Sequence, residues 1–179
     1  MIKDKQDLKK YKKKDFENGN YKNDILSYLT NDIWRFLRLL RLYEYLLNTK
    51  KGLLWSLIKL IVKYRFSHIS KKLGYSIPPN VFSEGLMLPH YGNIVVNGKC
   101  RIGKNCRVHV GVNIGASYHS PGEVPKLGDN CYIAPGAKIY GNVELQDNTM
   151  IGANAVVNKS CDEVGAILVG IPAKNIKKK

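Results

Sequence analysis

A mainly β fold, a parallel β-helix of six-residue units preceded by a small α-helical region, is what this 179-residue chain predicts. Two patterns and one boundary carry the prediction. Aliphatic residues recur every six positions at Ile102, Val108 and Ile114, and again at Leu127, Ile133, Ile139, Leu145, Ile151 and Val157. Between Asn31 and Leu73 the apolar residues fall instead at helical spacing. Gly74 and the Pro78-Pro79 pair separate the two regimes, because glycine stops a helix and the prolines prevent a restart. The expected division is a basic helical region over 1–75 and a β-helix over 76–179.

In chain order, Lys3 to Lys14 reads as a solvated, disordered Lys-rich start. Ile33, Phe36, Leu37 and Leu40 form a first apolar stripe, with Arg35, Arg38 and Arg41 on an adjacent face. Asn48 to Gly52 is a turn. Leu53, Leu57, Ile58 and Ile61 form a second stripe, flanked by Lys59 and Lys63, and Trp34 and Trp55 sit beside the two stripes. Two or three helices before residue 75 are expected.

Charge is concentrated in this region. The chain holds 29 Lys and Arg against 14 Asp and Glu, and residues 1–75 alone hold 18 against 7. Such an excess suits an anionic membrane face, although a solvated surface or oligomer packing accounts for it as well. Met1 to Lys14 lacks an apolar run, so no signal peptide is expected, and no stretch reaches about 18 apolar residues, the length of a transmembrane helix. The expected location is cytoplasmic, with peripheral contact to the inner face of the membrane as the variant the basic helices suggest.

In the repeats, position five is small: Cys106, Val112, Cys131, Ala137, Val143, Thr149, Ala155 and Cys161. Three units make one triangular coil, and stacked coils bury a column of apolar side chains. Cys100, Cys106, Cys131 and Cys161 share that inward slot, where cysteine acts as a small hydrophobe; neither disulfides nor a metal site is expected. The step from Ile114 to Leu127 exceeds two units by a single position, and the segment 116–126 reads as a loop leaving the coil. By phase, Ala116, Pro135, Ala153 and Ile171 are third residues of their units and should stack as a shallow groove along one edge. His109 follows His90 by one position more than a full coil and should sit nearly stacked on it.

The run Gly85-Leu-Met-Leu-Pro-His90-Tyr-Gly-Asn-Ile-Val-Val96, the repeats, and Val169-Gly-Ile-Pro-Ala-Lys174 together resemble the hexapeptide acyltransferases of the serine acetyltransferase type. The likeness is strongest to the branch of capsule and exopolysaccharide synthesis. It implies a left-handed β-helix of about five coils, assembled as a homotrimer, with acetyl-CoA between two prisms and no metal. It makes His90 the general base and assigns His109 to acceptor binding or oxyanion support. Coenzyme A would lie along Ala116, Pro135 and Ala153, with Ser117 beside the thioester and Lys174 near the nucleotide phosphates.

Three departures from the serine pattern shape the acceptor. Pro89 replaces an acidic residue, Glu123-Val124 replace an Arg-His pair, and Tyr75 stands where an acidic residue orients the catalytic imidazole. Glu84 or a backbone carbonyl would then orient His90. Polar, uncharged Tyr91, Asn93 and Asn113, with His119 from the loop, suit a neutral sugar or glycan. The expected activity is therefore acetyl-CoA-dependent sugar O-acetylation, in polysaccharide or its precursor. The alternatives are serine O-acetylation and a non-catalytic basic β-helix binding module; no nucleic-acid partner is expected.

Overall fold

In the computed structural model, which describes residues 1–22, 24–118 and 122–177, four helices precede the coils. The basic start is helical rather than disordered: α1 spans Lys5–Gly19. Asp4 caps it by accepting from the Asp7 N–H at 2.8 Å, and Tyr11 and Asp15 are buried on its inner face. The short α2 (Ile25–Thr30) is capped by Asp24, and α3 (Asp32–Thr49) by Asn31. The last helix, α4 (Leu53–Leu73), ends where Gly74 turns left-handed at φ 78°.

The first predicted stripe packs as expected, with Phe36, Leu37 and Leu40 fully buried. The second does not. Of its members Ile58 packs, while Leu53, Leu57 and Ile61 are exposed; α4 is held through Trp55, Ile58, Val62, Phe66, Ile69 and Leu73, on the side opposite the exposed three. Apolar residues all around α4 hid which face would win. Phe66 stacks on Phe36 at 5.4 Å between ring centroids, and Phe36 meets Tyr75 edge-on at 5.0 Å.

Arg41, expected with Arg35 and Arg38 on the face beside the first stripe, is wholly buried. Its guanidinium binds Asp15 at 2.7 and 3.3 Å, Glu44 at 3.0 Å, and the carbonyls of Phe82 and Ser83 at 2.9 and 2.8 Å. Asp15 in turn accepts from the N–H groups of Gly85 and Leu86, and Glu44 from that of Asn80. One buried cation thus ties α1 and α3 to the segment that opens the coils. No described helix is long and apolar enough to cross a membrane.

The coils form three parallel faces. The first stacks Tyr75–Ser76, Ile94–Val96, Asn113–Gly115, Lys138–Tyr140 and Val156–Val157. The second stacks Arg101–Ile102, Lys126–Leu127 and Glu144–Leu145, extended by bridges from Phe82 and Cys161. The third stacks Arg107–Val108, Tyr132–Ile133, Met150–Ile151 and Ile167–Gly170, preceded by a bridge from Met87 and closed by antiparallel Ala173–Asn175. The aliphatic first positions fill the prism: Val108, Ile114, Ile133, Ile139 and Ile151 have no exposed surface. At the fourth position the backbone turns left-handed, through Asn105, Asn130 and Asn148 at one corner and Gly111, Gly136 and Asn154 at the next. Only residues that tolerate positive φ fit those corners. Cys100, Cys106 and Cys131 point inward as free thiols, whereas Cys161 takes a first-position rung opposite Leu145.

Replacing Arg41 with Met leaves Asp15 and Glu44 charged, buried and unpaired, and should cost about 3–5 kcal/mol. Urea unfolding of the variant checks this; a loss below about 0.5 kcal/mol, typical of surface changes, would contradict the clamp.

Candidate functional site

The register between coils decides which residues share an edge. From the second coil to the third the offset is the same on every face: Ile102 opposes Leu127, Val108 opposes Ile133, and Ile114 opposes Ile139. Below that the offsets shorten, with Ile133 opposite Ile151 and Ile151 opposite Leu168. The loop is therefore inserted into one coil in addition to its three units, instead of replacing a unit. This corrects the predicted column. Pro135 and Ala153 do stack, with the Asn154 N–H donating to Pro135 at 2.9 Å. Ala116 and Ser117 lie at a different corner, beside Gly141, and Gly170 rather than Ile171 is level with Ala153. The edge reads Val110, Pro135, Ala153, Gly170, and Gly136 donates to Val110 at 2.9 Å.

His90 heads this edge. The Met87–Arg107 bridge brings the segment carrying His90 alongside the one carrying His109, and two residues later Gly92 sits against Val110. The imidazoles of His90 and His109 lie 6.3 Å apart and tilted by 48°, neighbours on adjacent coils with their rings not stacked. His90 is exposed, while His109 is buried at 7% exposure, with the Tyr132 ring 5.1 Å away. Its Nε2 has no hydrogen-bond partner among the described residues. Arg107 lies on the same side of the strand and approaches Tyr132 at 5.7 Å. Tyr132 and Arg107 went unnoticed in the sequence; both occupy the position before an aliphatic first residue, the outward slot directly paired across coils.

The loop carrying His90 is held from the helical side. The Gly92 N–H donates to Leu73 at 2.8 Å, and Ile94 to Gly74 at 3.1 Å. Tyr75 donates its hydroxyl to the His90 carbonyl at 2.7 Å, so it fixes the backbone rather than the ring. Glu84 does not orient His90 either: its carboxylate is buried against Lys10 at 2.9 Å. Gly92 is required, since a Cβ there would lie 2.4 Å from Val110 Cγ2.

The other candidates scatter. Tyr91 faces the helices, where with Asn31, Asp32, Ile33, Lys72 and Leu73 it lines a cavity of about 420 Å³. Asn93 is exposed beside the His90 corner, and its carbonyl accepts from Gly111 at 2.6 Å. Asn113 lies on the first face opposite Val95 and Lys138. Lys174 is exposed on the closing strand opposite Val169, at the foot of the edge. His119 lies outside the described residues. Among those described, no group of His, Cys, Asp and Glu is arranged to hold a metal.

Comparison with known proteins points in one direction. Residues 125–159 match the family model described as bacterial transferase hexapeptide (six repeats). A serine acetyltransferase of Staphylococcus xylosus is 34% identical over 146 residues, covering 81% of this chain and 62% of the relative. The chain thus spans less than two thirds of that curated relative. The soybean serine acetyltransferase apoenzyme superposes with a TM-score of 0.76 over 96% of this chain and 69% of that one, at 22% identity, a likeness of fold. A serine acetyltransferase in complex with CoA gives 0.64 over 81% of this chain and 57% of that one, at 27% identity. These relatives carry the serine acetyltransferase name, and the capsule branch expected from the sequence is not supported by them.

Burial first, then Arg107 and His90, hold the His109 pKa below its ordinary 6.5. The unfolded chain takes up a proton that the folded one resists, so stability is lost as pH falls below about 6.5. His109→Gln should flatten the dependence of unfolding free energy between about pH 7 and about pH 5. An unchanged slope would show that His109 titrates as freely as in the unfolded chain.

Proposed function

We propose that the chain, which is similar to serine acetyltransferases in sequence and fold and matches the hexapeptide-transferase repeats over residues 125–159, is an acetyl-CoA-dependent O-acetyltransferase. The observation that carries this is His90 at the head of a small-residue edge, 6.3 Å from a buried histidine whose Nε2 has no partner among the described residues. His90 takes the proton of the acceptor hydroxyl, whose own pKa is far too high for attack at neutral pH. His109, kept neutral, acts with its proton on Nε2 and donates that N–H to the oxygen on which negative charge gathers. The Tyr75 hydroxyl and the Gly92 N–H hold the His90 backbone while the proton moves.

Pro135, Ala153 and Gly170 leave room for a pantetheine arm, and Lys174 supplies charge near the nucleotide. Bound acetyl-CoA contributes a thioester with a good leaving group. Ala116 and Ser117 sit on another corner, so a homotrimer is proposed in which one subunit's loop corner faces its neighbour's edge.

The relatives' names favour L-serine as the acceptor over the sugar expected from the sequence. A second reading, a neutral sugar hydroxyl, rests on particular residues: Pro89 before the base, an exposed Glu123 beside Val124, and Tyr75 occupied with a backbone carbonyl. None of these offers a cation to a free carboxylate, and Glu123 would repel one.

His90→Ala should reduce acetyl transfer by about 10²–10⁴-fold, with coenzyme A affinity unchanged by calorimetry. Near-normal turnover would remove His90 from the chemistry. Thiol release measured with L-serine and with a panel of neutral sugars separates the acceptors. O-acetylserine formed at millimolar serine supports the serine reading, and transfer to sugar alone supports the second.

A further inference from the structure

The helix α4 carries two apolar faces, and only one of them is covered. Leu53, Leu54, Leu57, Leu60, Ile61 and Tyr64 are all exposed, from 55% at Leu57 to 81% at Leu53. At about 100° per residue they fall within an arc of about 120°, opposite the packed face. Lys63 flanks this stripe on one side and Arg65 on the other, Lys59 borders the packed face and donates to the Lys50 carbonyl at 2.6 Å, and α4 contains no acidic residue. On α2, Ile25, Leu26 and Leu29 are also exposed.

Between these two helices lies a cavity of about 260 Å³ whose lining includes Lys12, Tyr28, Leu29, Arg35, Arg38 and Arg65. Four cations face it, and among the described residues no carboxylate lines it; Asp32, near Arg35 on α3, is engaged with Arg35 at 3.3 Å and with Lys72. Arg38 lies 3.4 Å over the Tyr28 ring and donates to the Tyr28 carbonyl at 2.6 Å, yet its buried Nε has no partner among the described residues. Burial, then Arg38, lowers the Lys12 pKa, and burial, with Arg35 and Arg65, lowers that of Arg38. The cluster therefore gains most from an anion.

We propose that α2 and α4 form a surface that docks on an anionic phospholipid bilayer, with a lipid phosphate in the cavity and the Leu53–Tyr64 stripe in the acyl boundary. An apolar arc flanked by cations, on a helix too charged to span, is the pattern of an interfacial helix. A second copy of the chain is the weaker occupant, since it would bring α4's cationic flanks against one another. Arg41, buried in its clamp, plays no part in this surface.

Co-sedimentation with vesicles of phosphatidylcholine alone, and of phosphatidylcholine with phosphatidylglycerol, tests the proposal. Expected is binding to the anionic vesicles at least about 10-fold tighter than to neutral ones, lost in about 0.5 M salt. Leu57→Asp with Ile61→Asp should abolish binding, and Lys12→Gln with Arg65→Gln should weaken it about 10-fold, with the thermal midpoint kept. Inorganic phosphate at millimolar concentration should compete little, because it brings no acyl chain. Equal binding to both vesicle types, or none, would overturn the proposal. So would an aspartate variant that changes oligomeric mass by light scattering while vesicle binding is absent or unaffected.

Discussion

Each coil of this protein hydrogen-bonds to the next at every rung, and the register of those bonds governs everything that sits on the surface. A strand in such a stack cannot slip by one residue without turning its aliphatic side chain outward. Ile102, Leu127 and Leu145 are therefore locked one above another on the second face, as Val108, Ile133 and Ile151 are on the third. The corners inherit that order. Gly111, Gly136 and Asn154 take left-handed backbone at one level after another, and the residues just before them become a continuous edge. His90 and His109 are close because an isolated bridge between Met87 and Arg107 places their loops side by side.

The buried charge cluster joins the second part of the molecule to that stack. Arg41 reaches two carboxylates on helices and two carbonyls on the segment that opens the coils. A charge with no exposed surface is tolerable only with such complete pairing. It fixes α3, on which α4 packs through Phe36 and Phe66, and at and just beyond the end of α4 Leu73, Gly74 and Tyr75 hold the backbone of the loop carrying His90. The helices and the residues flanking the His90 loop, Leu88 and Ile94, are thus parts of one packed core running from Trp34 to Leu168.

The sequence pattern revealed the prism, its inward cysteines at Cys100, Cys106 and Cys131, the stop at Gly74 and the pairing of two histidines. These are local or strictly periodic features. What escaped it depends on contacts between distant parts. The spacing from Ile114 to Leu127 could not distinguish a replaced unit from an inserted loop, and this misplaced Ala116 and Ile171. Arg41 sits at the same spacing as Arg35 and Arg38, yet only it meets Asp15 across the helix pair. On α4, apolar residues on every side left both faces equally eligible, and packing against Phe36 and Tyr43 decided between them. Asp4 and the inward Tyr11 ordered a segment whose lysines suggested solvation.

The central claim is that donor binding and chemistry share the edge headed by His90. Amide hydrogen exchange with and without coenzyme A addresses it directly. The account predicts slowed exchange at Gly111, Gly136, Asn154 and Gly170, whose N–H groups lie along that edge. Protection confined to the cavity on the second face, between Phe82, Arg101 and Lys126, would contradict it.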